Sequence, residues 1–366
     1  MVRLGRCSSR EYVRDEEGHV WRWLMVGCTV ACGGEAAKQP APGPSGGAAS
    51  VDTGAPTSPL DTLGGIDTSR ASPTASSTGD SSRHDTATRG TTTDTDPRCA
   101  ARTLPREVQL VHGGLVRSAL LAGPAVLPDE PMPLVLHFHG YTDSPTQQEG
   151  YSGMSEHAAA EGYVVAYPQG TGPVGSFNGG RCCGSAMLAD IDDVGFTQAL
   201  IEGIADHLCI DRTQVYAVGF SNGGFLAHRL ACELSDQLAG VGSVAGVMGV
   251  DTCAPSRPLP VVQVHGTSDR IMPIGGNALL GYPSVDETMA GWAQRLGCDP
   301  TVPVEVYAQG DATCVQWVGC AEPLVQCTID GGGHTWPGGT APAVRGRVSQ
   351  DLDANAFLWD VLSAAP

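Results

Sequence analysis

Val218-Gly219-Phe220-Ser221-Asn222-Gly223-Gly224 joins two segments of different period. Before it, Gln214 to Val218 is an apolar run of the kind that forms a buried strand; after it, Phe225 to Leu230 resumes at helical spacing. The glycines permit a turn too tight for larger side chains, and a serine on such a strand-to-helix turn holds its hydroxyl out above the sheet edge. The Gly-x-Ser-x-Gly pattern alone is weak, since a chain with 49 glycines contains one by chance about half the time. Gly43-Pro44-Ser45-Gly46-Gly47 satisfies it too, but in a Pro/Ala/Gly stretch with no strand before it and no helix after it. Context separates the two serines.

Outward from Ser221 the same alternation continues. Leu134 to Phe138 is an apolar strand ending in the His139-Gly140 turn, and Gly162 to Pro168 is a second. Both are short and apolar, as in parallel sheets. Asp193 to His207 is helical in pattern, the strand to Ser221 follows, then Val241 to Val247 and Leu259 to His265. Strands alternating with helices predict an α/β fold, a mainly parallel twisted sheet with helices on both faces.

Composition divides the 366 residues unevenly. Residues 33–97 are Gly, Ser, Thr, Pro, Ala and Asp with almost no large apolar side chains, too few to offset chain entropy, and read as a flexible spacer. Residues 98–366 hold every strong strand and helix pattern and suit one α/β domain. Residues 1–32 read as an export region. Trp23 to Ala31 is an apolar run ending in small residues, while Glu11, Asp15, Glu16 and Glu17 do not suit a basic leader and leave open a start downstream of Met1. Ala31-Cys32-Gly33-Gly34 or Val26-Gly27-Cys28 resembles a lipoprotein cleavage site, which makes Cys32 and Cys28 lipidation candidates; an ordinary cleaved signal is the alternative. No apolar run reaches the ~18 residues of a membrane-spanning helix, so a membrane partner is expected only through such a lipid.

Thirty-nine acidic against 21 basic residues give a formal charge of -18, which repels polyphosphates and argues against nucleic acid as a partner. No zinc-ligand spacing, phosphate-cradling loop or dinucleotide fingerprint appears, so neither a metal nor another cofactor is expected. The chemistry falls to side chains. Nothing in the sequence sets the oligomeric state.

Ten of the 13 cysteines lie in the domain, an even number that suggests disulfides and an oxidising compartment. Cys314 and Cys327 face each other in a hairpin predicted from Thr313 to Val318 and Leu324 to Ile329.

Acyl transfer by Ser221 needs a base to take its proton and an acid to orient the base. Asp269, in His265-Gly266-Thr267-Ser268-Asp269, lies in a turn directly after an apolar strand. His334, in Gly331-Gly332-Gly333-His334-Thr335-Trp336-Pro337, sits in a glycine loop, expected to be mobile, after the last strand. The order Ser, Asp, His is that of α/β-hydrolases. The backbone N–H groups of Asn222 and Tyr141 are the candidate oxyanion donors, and Trp336, His139 and Phe177 are candidates for the acyl pocket. Trp336 serves equally well as loop packing. Asp192 and Asp193 precede the serine and read as helix caps, and His137 and His265 read as satisfied core histidines on buried strands.

Together these residues resemble the esterase family that groups polyhydroxybutyrate depolymerases with feruloyl and acetylxylan esterases of the carbohydrate esterase family 1 type. The likeness covers nearly the whole domain. It includes His139-Gly140, Tyr167-Pro168-Gln169-Gly170, Asn178 with Arg181-Cys182-Cys183-Gly184, Asp192-Asp193-Val194-Gly195-Phe196, Gly333-His334-Thr335-Trp336-Pro337-Gly338 and Ala356-Phe357-Leu358-Trp359-Asp360. The resemblance implies the α/β-hydrolase fold with Ser221, Asp269 and His334 as nucleophile, acid and base. It also implies disulfides: one of Cys182 and Cys183 to Cys209, the other to Cys99, then Cys232 to Cys253 and Cys298 to Cys320. The expected substrate is a small or oligomeric ester, feruloyl or a related cell-wall ester ahead of polyhydroxyalkanoate. A peptidase on the same fold, or a surface lipoprotein with a non-catalytic site, is the reading of another class.

Overall fold

Side chains that alternate between the two faces of a strand, apolar on both, produce a sheet that must be covered on both sides. The computed structural model describes residues 10–14, 21–25, 99, 103–299 and 303–364, in two units, Met1–Thr92 and Thr93–Pro366. In the first, β1 (Arg10–Arg14) and β2 (Trp21–Met25) pair antiparallel, Arg10 opposite Met25. Cys28, Cys32, Ser45 and the whole 33–97 spacer lie outside the described residues. No helix among the described residues is long and apolar enough to cross a membrane.

The second unit opens with β3 (Glu107–His112), β4 (Leu115–Ala122), β5 (Met132–Phe138), α1 (Pro145–Ser152), α2 (Met154–Glu161) and β6 (Val164–Pro168). Its middle is α3 (Gly184–Leu188), α4 (Asp193–His207), β7 (Ile210–Phe220), α5 (Asn222–Glu233), β8 (Gly240–Val244) and β9 (Val261–Gly266). It closes with α6 (Val285–Arg295), β10 (Val304–Gln309), β11 (Ala312–Gln316), β12 (Leu324–Ile329) and α7 (Ala354–Ser363). The ten strands of its sheet run in the order β10-β11-β12-β9-β8-β7-β5-β6-β4-β3. From β12 to β6 every neighbouring pair is parallel, while the pairs at either edge are antiparallel. The mainly parallel sheet predicted from the sequence is therefore its centre.

Alternation along the strands divides the core. Leu134, Leu136 and Phe138 of β5 and Val215 and Ala217 of β7 join Leu200 of α4, Leu230 of α5 and Trp292 of α6 on one face. Val135, Tyr216, Val218 and Phe220 join Met154 of α2 and Leu358 of α7 on the other. Helices thus cover both faces. The edge hairpin β3–β4 was not among the predicted elements, although its signal is present. His112 pairs with Leu115 across Gly113-Gly114, whose φ of 55° and 77° suit the two-residue mirror turn that favours glycine.

Helix α4 spans the predicted 193–207, and Asp192 caps it by accepting the Gly195 N–H at 2.8 Å. Asp193 does something else. Fully buried, it pairs with Arg117 of β4 at 2.7 Å and accepts the Asn178 N–H at 2.7 Å, tying the edge strand and the 170–183 loop to the start of α4.

Five disulfides join the described cysteines: Cys99–Cys209, Cys182–Cys183, Cys232–Cys253, Cys298–Cys320 and Cys314–Cys327. Cys314 and Cys327 are direct cross-strand partners of β11 and β12. The expectation that Cys182 and Cys183 reach Cys209 and Cys99 is corrected. Cys99 and Cys209 bond each other, their Cα atoms 4.6 Å apart, which leaves the neighbouring pair to close on itself.

Burial in α7, beside Glu161 and Asp353, pushes Asp360 up to about 6 from its ordinary 3.8. Because the unfolded chain releases this proton first, the group costs stability as pH rises through that window. Asp360→Asn is therefore expected to raise the thermal midpoint at pH 7 and to leave it unchanged below about pH 4. Melting both proteins at the two pH values checks this; an equal shift at both would contradict it.

Candidate active site

Tight backbone packing sets the geometry at the end of β7. A Cβ on Gly219 would lie 2.1 Å from the Gly223 carbonyl oxygen, and one on Gly223 would lie 2.2 Å from that of Phe138. Only glycine fits at either position. Between them Ser221 has φ 52° and ψ -115°, a conformation costing on the order of 1–3 kcal/mol that the surrounding structure must impose. Its N–H donates to the Val244 carbonyl at 2.8 Å and the Gly223 N–H donates to that of His139 at 3.1 Å, locking the turn to β8 and to the end of β5. The Ser221 side chain makes no hydrogen bond to a described residue, and the residue is 9% exposed.

Across from Ser221 lies the turn after β5. The Asn222 N–H, at the start of α5, and the Tyr141 N–H meet no acceptor among the described residues. The Asn222 side chain is engaged elsewhere, its Oδ1 accepting the Phe177 N–H at 2.8 Å and its Nδ2 donating to the Phe177 carbonyl at 2.9 Å. It pins the 170–183 loop against the serine turn.

Asp269 and His334 come together although 65 residues separate them. Parallel pairing of β12 with β9 places the loops that follow both strands side by side. His334 Nδ1 lies 2.7 Å from Asp269 Oδ2, and both side chains are buried. Asp269 Oδ1 accepts the N–H groups of Ile271 and Met272 at 2.9 and 2.8 Å, which fixes the carboxylate plane. The ring of Phe220, the residue before Ser221, packs against the His334 ring with centroids 4.8 Å apart.

The glycine loop of His334 is strapped in place, contrary to the expectation of mobility. The His334 N–H donates to the Arg345 carbonyl at 2.7 Å, the Gly333 N–H to that of Arg347 at 2.9 Å and the Gly338 N–H to that of Ser349 at 2.8 Å. Arg347 also pairs with Asp311 and donates to the Asp330 carbonyl.

Behind Asp269 runs a buried hydrogen-bonded chain whose direction is fixed by its donors. Trp292 Nε1 donates to His228 Nδ1 at 3.1 Å, so His228 Nε2 carries a proton and donates to Gln263 Oε1 at 3.0 Å. Gln263 Nε2 donates to the Gly246 carbonyl at 3.0 Å and to His265 Nδ1 at 3.3 Å. His265 Nε2 then donates to the Met272 carbonyl at 2.7 Å and lies 3.6 Å from Asp269 Oδ2. Burial lowers the pKa of both histidines, that of His228 to about 4, so both stay neutral and serve as scaffold. His265 is thus the satisfied core histidine expected. His137 is only half so: Nε2 meets Gln148 at 2.9 Å, while buried Nδ1 has no partner.

Burial corrects two pocket candidates, Phe177 and His139, and of the two readings of Trp336 it favours loop packing. Trp336 is enclosed, donating to Asn355 at 3.0 Å and packing on His137 at 4.5 Å, so it holds the histidine loop to the core. Phe177 packs edge-on to Phe138 beneath the loop. His139 commits both nitrogens to backbone, Nδ1 with the Gly140 carbonyl at 2.8 Å and Nε2 with the Gly170 N–H at 3.0 Å, and shapes the turn rather than a pocket. What surrounds the site at the surface is instead Tyr141 on the turn after β5 and Ile271 just past Asp269, both exposed.

A sequence profile described as Phospholipase/Carboxylesterase matches residues 190–280, a span that holds Ser221 and Asp269. A protein described as "Putative esterase NocK", from Nocardia uniformis subsp. tsuyamanensis, is 33% identical over 295 residues, covering 73% of this chain and 84% of that one. The chain belongs to this α/β-hydrolase esterase family. Feruloyl esterase B of Piromyces equi is 31% identical to the esterase over 222 residues, covering 56% of this chain and 40% of that protein. The fold is also that of the acetyl xylan esterase from Aspergillus awamori, at a TM-score of 0.53 and 15% identity, over 71% of this chain and 99% of that one. The esterase thus spans less than half the length of the feruloyl esterase B it matches.

Several side-chain contacts that build the site carried no signal in the sequence, that of Asn222 among them although its backbone N–H was an expected oxyanion donor. Asn222, Gln263, His228 and Trp292 act through contacts between strands and helices far apart in the chain. Asp143 and Arg345 meet across 202 residues.

Proposed function

We propose that this chain is an exported serine carboxylesterase that works through an acyl-enzyme. The buried 2.7 Å contact of His334 with Asp269, beside the strained Ser221 turn, carries the reading. In the proposed cycle His334 Nε2 takes the Ser221 proton as Oγ attacks the ester carbonyl, and Asp269 stabilises the imidazolium. The Tyr141 and Asn222 N–H groups receive the developing oxyanion; donors so placed are worth roughly 3 kcal/mol each. Collapse of the tetrahedral intermediate expels the alcohol with the proton from His334, and water repeats the sequence to release the acid. Five disulfides favour an oxidising compartment.

For the acyl group we favour a feruloyl or related plant cell-wall ester, on the likeness to feruloyl esterase B. Polyhydroxyalkanoate is the second reading, favoured by the exposed apolar side chains of Tyr141 and Ile271 on loops that flank the site. Residues 98–366, produced in an oxidising host, are expected to hydrolyse methyl ferulate faster than 3-hydroxybutyrate oligomers and to leave peptide amides intact. The reverse ester preference would transfer the assignment to polyester; cleavage of peptide amides would make it a peptidase.

A further inference from the structure

Arg345 touches three parts of the site at once. Its carbonyl accepts the His334 N–H at 2.7 Å, the contact that seats the general base. Its guanidinium donates to Asp143 Oδ1 at 2.6 Å and lies over the rings of Phe220, at 5.2 Å, and Tyr151, at 4.9 Å. Phe220 precedes the nucleophile and packs on His334.

Asp143 in turn closes the turn that carries the Tyr141 N–H. Its own N–H donates to the Gly140 carbonyl at 3.1 Å, and its side chain is packed so closely that a Cβ on Gly140 would lie 2.8 Å from Oδ2. Oδ2 is buried and has no hydrogen-bond partner, so Arg345 is the charge that makes this buried carboxylate tolerable. Thr142, between Tyr141 and Asp143, is held at φ 69° by its N–H bond to the Gly175 carbonyl. The direction of the Tyr141 N–H therefore depends on where Asp143 is anchored, and Asp143 is anchored to the segment that holds the base.

We infer that the Arg345–Asp143 ion pair is a latch that sets the oxyanion turn in register with His334, making Arg345 and Asp143 positioning residues for acyl transfer. The inference rests on the triad reading given above. A latch of this kind acts on the transition state, because the oxyanion donor and the base must converge on one reacting carbonyl, and a displacement of about 1 Å can cost about 100-fold in rate. Substrate binding before the reaction needs neither in register.

The test compares kcat, KM and thermal midpoint on p-nitrophenyl acetate for the wild type, Arg345→Ala, Arg345→Lys, Asp143→Asn and the double variant, with Arg212→Gln, at an exposed ion pair with Asp206, as control. Arg345→Ala is expected to lower kcat by about 10- to 100-fold with KM little changed. Arg345→Lys should recover part of the loss, Asp143→Asn should fall in the same direction, and the double variant should be no worse than Arg345→Ala, as for two halves of one contact. If Arg345→Ala does not fold, Arg345→Lys and Asp143→Asn are judged on the same split between kcat and KM. Folded variants with unchanged kcat and a lowered midpoint would make the pair structural only, and a rise in KM alone would make Arg345 a substrate contact; either overturns the latch. A folded wild type without turnover overturns the esterase reading itself, and the latch with it.

Discussion

Ser221→Ala is expected to lower kcat on the best ester by about a millionfold, the loss seen when the nucleophile of such a triad is removed. The thermal midpoint should not fall. The hydroxyl makes no hydrogen bond to a described residue, and alanine keeps the Cβ, so the strained turn persists at much the same cost. Loss of activity together with loss of fold would count against this account, since it would assign Ser221 a structural role that its surroundings do not show.

The turn around Ser221 was legible because local chemistry dictates it: an apolar strand, glycines where no Cβ fits, and a helix. The parallel order of the central strands followed from the same alternation of short apolar runs with helices, and Asp269 and His334 could be found as polar residues just past strand ends. Pairing Cys314 with Cys327 needed only the period of a hairpin, and their register bears it out. What the sequence did not show depends on packing between distant segments. Phe177 and His139 look like pocket residues in a linear motif, and Trp336 like either a pocket or a loop-packing residue, yet all three are buried. The bonding of Cys182 to Cys183 turns on Cys99 lying against Cys209, a contact across 110 residues. Asp193 reads as a cap from its position but serves Arg117, a partner 76 residues away.

Asp269→Asn is expected to cost about ten-thousandfold in kcat while leaving the fold intact. The carboxylate accepts from three donors: Ile271 and Met272 on Oδ1 and His334 Nδ1 on Oδ2. An asparagine must keep its carbonyl oxygen on the two backbone N–H groups, which turns its NH2 toward His334. That NH2 can only donate, so Nδ1 becomes the acceptor and the ring proton moves to Nε2. An imidazole protonated at Nε2 cannot take the Ser221 proton. Ile271 and Met272 lose nothing, so the midpoint should change little. Measured kcat and midpoint for the variant decide the matter. A loss of only a few fold would mean that Asp269 does not set the tautomer of His334, and the carboxylate role would pass to another residue.

The most direct test of the central claim is the intact mass of the folded domain after treatment with a p-nitrophenyl alkylphosphonate, which traps an activated serine as a tetrahedral phosphonyl ester. The account predicts one adduct per chain, located by peptide mapping at Ser221 and absent when His334 is replaced by alanine. No adduct on the folded protein, or an adduct at a different residue, would contradict it.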